Sequence, residues 1–156
     1  MKYIALLVAL CLLAAPARAL DTGATDDGDD FEGPHVIAHK GLHAGEGGYL
    51  VVGRPFTVSY TLFNQGTEQA KEVALFDTWP EEYFTVKSGS SDIRVDLLEA
   101  GTSDEYNVTL VPLQAGLFTP ERATLSYTDA GSEEEEALSR NGFSSSFGQV
   151  QILTDD

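Results

Sequence analysis

The sequence predicts an all-β protein built as a two-layer sandwich, and three observations support this prediction. From His35 onward, apolar and polar side chains alternate with a period of two almost everywhere, which is typical of strands with one buried face. Turn-forming residues recur about every 8–12 residues. No window keeps a helical periodicity over several turns. The pattern favours an immunoglobulin-like β-sandwich without a disulfide, with a closed barrel as the alternative.

Residues 1–19 have the organisation of a secretory signal peptide. Lys2 precedes an uncharged apolar run over residues 4–17, and small side chains at Ala17 and Ala19 provide a cleavage site. The run is shorter than the ~20 residues that span a bilayer, so we expect cleavage after Ala19 rather than a membrane anchor. Cleavage would also remove Cys11, the only cysteine, which excludes disulfides, thiolate metal sites and cysteine catalysis in the mature chain.

Residues 20–34 are predicted to be an acidic, disordered leader. They carry six acidic side chains among glycines and a proline. Such a composition cannot bury enough apolar surface to offset the conformational entropy of the chain. A weak calcium-binding tract is the alternative, but the stretch lacks the ligand spacing of an EF-hand and its closing glutamate. The folded β-sandwich domain is therefore expected over residues 35–156.

The strand predicted over residues 56–63 shows the alternation most clearly, with apolar side chains on one face and hydroxyl side chains on the other. A Gly-centred turn follows at residues 64–68, and a strand predicted over residues 72–77 is expected to pair with the first. The other predicted strands cover residues 36–40, 83–87, 93–98, 105–111, 122–128 and 147–153. The predicted core consists of Phe56, Val58, Tyr60, Leu62, Val73, Leu75, Phe84, Val108, Leu110, Leu125 and Tyr127.

The net charge restricts the kind of partner. The chain has 25 acidic and 9 basic side chains, which gives a formal net charge of -16. Such a chain repels nucleic-acid phosphates and anionic lipid headgroups, so no nucleic-acid partner is expected. The run Glu133-Glu134-Glu135-Glu136 is interpreted as a solvated loop, because adjacent carboxylates repel one another.

Few residues are candidates for chemistry. His35, His39 and His43 are spaced by four, but a predicted strand and a glycine-rich loop carry them, so their rings would not converge on a metal ion. The sequence contains no nucleophile elbow, no phosphate-binding loop and no acid pair that can be nominated for general acid-base catalysis. No catalytic residue, cofactor or metal site is therefore predicted.

Two further residues, Asn107 and Trp79, carry individual predictions. Asn107-Val108-Thr109 is the only N-glycosylation sequon. The alternation that sends Val108 inward sends Asn107 to solvent, so we predict a glycan on Asn107. Trp79 is the only tryptophan, and we expect it to plug one end of the sandwich rather than to anchor a partner.

A longer series of segments resembles a known family. It includes Val52-Gly53-Arg54, residues 56–64, Gly66, Val73-Ala74-Leu75, residues 79–84 and Ser88-Gly89, continues through residues 110–118 and 123–127, and has an upstream match at residues 38–42. In this order, over about residues 36–128, the chain resembles the lumenal domain of the translocon-associated protein beta family. Any one of these motifs is weak, but the ordered series is specific.

The resemblance implies a lumenal immunoglobulin-like domain behind a signal peptide, with a non-enzymatic role in the endoplasmic reticulum. Members of the family join alpha, gamma and delta subunits beside the Sec channel and, as a complex, associate with the ribosome-bound translocon. They assist the translocation or insertion of some nascent chains. Members end in a transmembrane helix, so membrane attachment is expected through such a helix, which this sequence does not contain, or through partners. Partner recognition is expected through surface complementarity and exposed strand edges.

Two other classes of function are alternatives. The first is a secreted β-sandwich adhesion module that binds carbohydrate on exposed aromatic side chains or calcium on its acids. The second is an enzyme, such as a glycosidase that uses two carboxylates. The enzyme ranks last, because no pair of acids stands out from the others.

Overall fold

The computed structural model describes residues 32–45, 47–129 and 138–155, and these ranges contain strands, turns and loops but no helix. No helix that could cross a bilayer occurs within them. The eleven strands are β1 Val36–His43, β2 Leu50–Val51, β3 Phe56–Asn64, β4 Ala70–Phe76, β5 Phe84–Gly89, β6 Asp92–Leu98, β7 Ser103–Pro112, β8 Gly116–Phe118, β9 Thr124–Asp129, β10 Ser139–Phe143 and β11 Val150–Leu153. The all-β prediction is confirmed.

The strands form three sheets. The first sheet has the order β1-β3-β7-β5, the second has the order β10-β9-β4-β6, and both are antiparallel throughout. In the third sheet, β11 lies between β2, to which it is parallel, and β8, to which it is antiparallel. The two four-stranded sheets make the sandwich that the alternation predicts, rather than one closed sheet.

The core lies between the inward faces of the first and second sheets. All eleven predicted core residues are buried, and the most exposed of them, Tyr127, retains 7% of its surface. Burying side chains of this kind contributes roughly 1.5–3 kcal/mol each. Residues of β1, β6 and β11 complete the core at positions that were not predicted, including Val36, Ile93 and Ile152.

All eight predicted strands are present, but the predicted pairing of β3 with β4 is wrong. β3 bonds to β1 on one side and to β7 on the other, while β4 bonds to β6 and β9. Each is therefore an interior strand of a different sheet, with no free edge to offer the other. The turn at residues 65–69 does not close a hairpin but carries the chain from the first sheet to the second.

Asn64 holds this crossing in place from a fully buried position. Its side-chain amide donates hydrogen bonds to the carbonyls of Glu68, at 2.8 Å, and Leu98, at 3.0 Å. Its side-chain oxygen accepts from the backbone amides of His35 and Gly66, each at 3.1 Å. One side chain thus joins the end of β3 to the end of β6 in the opposite sheet.

Gly66 lies against the segment that precedes β1. A Cβ at this position would collide with the carbonyl oxygen of Gly33 and the backbone amide of His35. Gly33 and Pro34, the last residues of the predicted leader, are buried here, and Thr67 donates a backbone hydrogen bond of 3.0 Å to Gly33. The predicted signal peptide, the rest of the leader up to residue 31 and the Glu133–136 run lie outside the described residues.

Candidate interaction surfaces

The interior of the sandwich contains an ion pair between its two layers. Lys40 occupies the inward face of β1 after Val36 and Ala38, and Asp77 follows β4 directly in the second sheet. The Lys40 ammonium lies 2.7 Å from Oδ2 of Asp77 and 2.9 Å from Oδ1, with 1% and 0% of the two side chains exposed. It also donates to the carbonyl of Glu121 at 2.8 Å. The contact joins the first sheet to the second.

Two more donors complete the environment of the Asp77 carboxylate. Tyr60 donates its hydroxyl to Oδ2 at 2.5 Å, and the indole of Trp79 donates to the same oxygen at 2.8 Å. The indole nitrogen is also 3.1 Å from the Tyr60 hydroxyl. With Lys40, these residues form a buried polar network that we call the polar clasp: Lys40, Tyr60, Asp77 and Trp79.

Burial governs the proton affinities in the polar clasp. It lowers the pKa of Lys40 below its ordinary value, although the Asp77 carboxylate opposes that shift. It raises the pKa of the Tyr60 phenol far above its usual range, and the hydrogen bond to Asp77 adds to the rise. The carboxylate is shielded from solvent and satisfied by three donors, so the arrangement suits a structural tie rather than an acid-base catalyst that must reach a substrate.

Trp79 belongs to a cluster of aromatic rings beside the polar clasp. Its ring centroid lies 6.1 Å from that of Phe56, 5.0 Å from Phe84 and 6.1 Å from Phe118. The first two contacts are edge-to-face, a favourable arrangement of ring quadrupoles. The Lys40 ammonium lies 4.7 Å above the indole. Trp79 is partly buried against the core; that it plugs one end of the sandwich stays a prediction.

The three spaced histidines lie along β1 and the residue before it, and they do not gather at one point. His39 shares a hydrogen bond of 3.0 Å with the hydroxyl of Ser145, and His43 shares one of 2.8 Å with Ser59. Between them, Gly41 lies so close to Ser59 that an added Cβ would come within 2.7 Å of its hydroxyl oxygen. Within the described ranges no group of three or more His, Cys, Asp or Glu side chains could hold a metal ion.

Asn107 lies on the outward face of β7, opposite Ser59 of β3. Its side chain is exposed, with the amide nitrogen 3.5 Å from a carboxylate oxygen of Glu105. Thr109, the third residue of the sequon, is half-buried beside Thr57, with 3.5 Å between the hydroxyl oxygens. The position leaves room for a glycan, and glycosylation of Asn107 stays a prediction.

Each four-stranded sheet has two end strands, one with a covered edge and one with an open edge. β1 and β10 are end strands, but the segment after β10 crosses between them. The backbone amide of Ser145 donates to the carbonyl of Ala38 at 3.0 Å, and the Ser145 hydroxyl accepts from the backbone amide of Lys40 at 2.9 Å. β5 and β6 are the other end strands, and among the described strands each pairs with one strand only, β7 and β4 respectively. The edge formed by β5 and β6 therefore presents backbone groups that another chain could bond.

Exposed apolar side chains lie close to that open edge and across the second sheet. Three of them are Phe143 of β10, Phe76 of β4 and Val86 of β5, which expose 59%, 53% and 52% of their surface. A groove of about 450 Å³ lies between Phe143 and Phe76 on the outer face of the second sheet. A second groove, of about 560 Å³, runs from Phe76 past Trp79 and Phe84 to Val86.

Sequence reasoning missed the charged half of the polar clasp. Lys40 follows Val36 and Ala38 at the same two-residue spacing and points inward as they do. The alternation itself therefore places a charged side chain in the core. A buried cation requires an anion, but the sequence offers 25 acids and no local cue that selects Asp77, which lies 37 positions away.

A family model and a relative of known family that match this chain agree on one family. The model of the family described as translocon-associated protein beta matches residues 8–156. The translocon-associated protein subunit beta of Dictyostelium discoideum is 24% identical over 108 residues, which cover 69% of this chain and 56% of that protein. The chain thus spans about half the length of this curated relative.

Solved structures show the fold alone. The alpha-2-macroglobulin of Escherichia coli, in a structure from domain MG7 to the C-terminus, has a TM-score of 0.50 and 14% identity, over 78% of this chain and 17% of that one. A CARDB domain from Pyrococcus furiosus has a TM-score of 0.45 and 10% identity, over 80% of this chain and 98% of that one.

Proposed function

Because the chain belongs to the translocon-associated protein beta family, we propose that it is a non-enzymatic subunit of the translocon-associated protein complex at the endoplasmic reticulum. The observation that carries the proposal is the family match over residues 8–156, which includes every described strand. In this role the domain contacts the alpha, gamma and delta subunits and the Sec channel. It thereby assists the translocation or insertion of nascent chains at ribosome-bound translocons.

The distribution of polar groups supports a binding role. The buried charges of the described core, Lys40 and Asp77, are engaged with each other and with Tyr60 and Trp79, which leaves them no substrate-facing position. The open edge of β5 and β6 and the exposed apolar side chains offer the surface instead. Recognition by strand edges and apolar contacts needs no reacting group.

The proposed orientation places the sandwich in the lumen of the endoplasmic reticulum. It rests on the signal peptide predicted at residues 1–19 and on the sequon at Asn107, since N-glycans are added on the lumenal side. The exposed position of Asn107 on β7 is compatible with the modification. Membrane association would come through a C-terminal helix of the full-length protein or through the partner subunits.

Purification from native membranes tests this function directly. The full-length protein, tagged in its own cells, is recovered in mild detergent, and the associated proteins are identified by mass spectrometry against an unrelated glycoprotein of the same membrane. Stoichiometric recovery of the other translocon-associated subunits is expected. A protein that is secreted into the medium and recovers no translocon subunit would overturn the proposal and favour the adhesion module, which a glycan array and a calcium titration would then examine.

A further inference from the structure

The outer faces of the two four-stranded sheets differ in chemistry. On the first sheet, cross-strand neighbours in one row are Gly41, Ser59 and Asn107, and in the next row His39, Thr61 and Glu105. On the second sheet, one row runs from Phe143 through Thr124 to Phe76. The first sheet also carries an apolar pair on its outer face, Ile37 with Phe63, but the predicted glycan at Asn107 lies on that face. The second sheet is therefore the face that stays clear of the glycan.

The second sheet forms a shallow groove with aromatic sides and a floor of small residues. Phe143 and Phe76 are separated by one strand, so their backbones lie roughly 10 Å apart, twice the spacing between neighbouring strands. In the adjoining row, Ser126 and Ala74 leave the floor low. A groove of this width, with a volume of about 450 Å³, accepts one large apolar side chain between the two rings.

One side of this groove is held in position before any partner arrives. The guanidinium of Arg122 lies 5.4 Å from the Phe143 ring centroid, and its Nε donates to the carbonyl of Ser144 at 2.6 Å. The cation thus supports the ring through a cation-π contact. A preorganised aromatic side chain loses less conformational entropy on binding, which favours a contact of useful affinity.

Phe76 connects this groove to a second one at the open edge of the sandwich. The second groove is lined by Phe76, Trp79, Phe84 and Val86. Phe143, Phe76 and Val86 therefore form an apolar band that crosses the second sheet and ends on β5. The band brings apolar contacts and unpaired strand edges onto one side of the molecule.

Charge restricts which partner can occupy the apolar band. The chain carries a formal charge of -16, which disfavours a second copy of itself and anionic lipid. At the first groove, Arg122 contacts the Phe143 ring, and Arg94, whose side chain is 76% exposed, pairs with Asp92 at 3.3 Å. At the second groove, Glu81 is exposed and has no ion pair among the described residues. A lysine or arginine of the partner therefore fits opposite Glu81, at the second groove.

We propose that the apolar band is the docking surface for a partner subunit that inserts a large apolar side chain between Phe143 and Phe76 and places a lysine or arginine opposite Glu81. The inference rests on the proposed function, since it assigns the contact with a sister subunit to one face. Apolar insertion supplies the affinity of such a contact, and the basic contact with Glu81 fixes its orientation.

Site-specific photo-crosslinking in native membranes tests the location. A benzophenone-bearing phenylalanine replaces Phe76 or Phe143 in the full-length protein, which keeps an aromatic ring at each position. The matched control carries the same group at Ile37, which is 43% exposed on the outer face of the first sheet. Adducts with another translocon-associated subunit are expected from positions 76 and 143 but not from 37. Adducts from position 37 alone, or only with lipid or a second copy of this chain, would overturn the proposal.

Substitution tests the energetic contribution of the band. Phe76→Asp with Phe143→Asp is expected to lower recovery of partner subunits at least about tenfold, the effect of losing one anchoring side chain worth ~1.4 kcal/mol or more. Raising salt from about 0.1 M to about 1 M is expected to lower recovery further, because screening weakens the basic contact. Ile37→Asp is the control, and the melting temperature of each purified full-length variant shows that it folds.

The outcomes separate the docking surface from the proposed function. If the wild-type protein recovers its partner subunits and the double variant recovers them equally, the docking surface is wrong while the function stands. Equal losses for the double variant and for Ile37→Asp would also refute the assignment to this face. If the wild-type protein recovers no translocon subunit, the function fails and the docking surface fails with it.

Discussion

Lys40→Met removes the buried cation of the polar clasp and leaves the Asp77 carboxylate behind in the core. In the wild-type protein the ammonium contacts both carboxylate oxygens and the carbonyl of Glu121, all within 2.9 Å. Tyr60 and Trp79 still donate to the carboxylate in the variant, but neither carries a charge. Breaking a buried pair in this way costs about 3–5 kcal/mol of folding free energy, because one charge stays desolvated and uncompensated.

Urea unfolding followed by the fluorescence of Trp79, the only tryptophan, measures this loss. With a denaturant dependence of about 1.5 kcal/mol per M, the expected loss lowers the unfolding midpoint by roughly 2–3 M. Arg54→Met is the matched control. It breaks an ion pair with Asp155 whose side chains are 65% and 54% exposed, and it should cost at most about 1 kcal/mol.

A double variant tests whether the uncompensated charge causes this loss. Lys40→Met with Asp77→Asn removes both charges together and keeps a side-chain oxygen that accepts from Tyr60 and Trp79. It is expected to be more stable than Lys40→Met alone, by about 1 kcal/mol or more, since no unpaired charge remains. If Lys40→Met costs no more than Arg54→Met, the ion pair does not stabilise the core and the reasoning fails. The same conclusion follows if the double variant is less stable than the single one.

Three further predictions concern the other features. Raising the pH above about 10 should destabilise the domain by up to ~1.4 kcal/mol per pH unit through Tyr60. The phenol ionises there in the unfolded chain, whereas its raised pKa keeps it protonated in the folded domain. Urea unfolding midpoints measured against pH should lose this slope in Tyr60→Phe. Gly66→Ala should lower the melting temperature, because the added Cβ collides with the Gly33 backbone. Gly53→Ala is the control: its added Cβ meets no heavy atom within 4 Å, so only the smaller cost of its positive φ is expected. Asn107→Gln and Thr109→Ala should each abolish a glycosidase-sensitive mass shift in cells, and Thr57→Ala should retain it; a shift that survives in Asn107→Gln would refute the assignment.

Much of the fold could be predicted, because every second residue is apolar in a strand with one buried face. β3 and β7 follow that rule along most of their length, which is why their buried residues could be named. β2, with two residues, and β8, with three, are too short to show a period. β10 reads Ser-Arg-Asn-Gly-Phe and lies at an edge, where no side chain needs to be strongly apolar.

The topology and the candidate surfaces could not be predicted, because they depend on residues distant in the chain. The turn after β3 has the composition of a hairpin, yet the edges of β3 are occupied by β1 and β7. The apolar band has the same origin. Phe76 and Phe143 are 67 positions apart in the sequence, and only the pairing of β4, β9 and β10 brings them to one row.

The polar clasp joins the two sheets in the place where many sandwiches of this kind use a covalent bond between sulfurs. Its partners are an amine and a carboxylate, neither of which changes with the thiol-disulfide balance of the compartment. The chain has a single cysteine and so cannot form an internal disulfide. The domain can therefore reach its final cross-sheet connection without an oxidant or an isomerase, and a reducing agent strong enough to unfold disulfide-dependent neighbours leaves that connection intact.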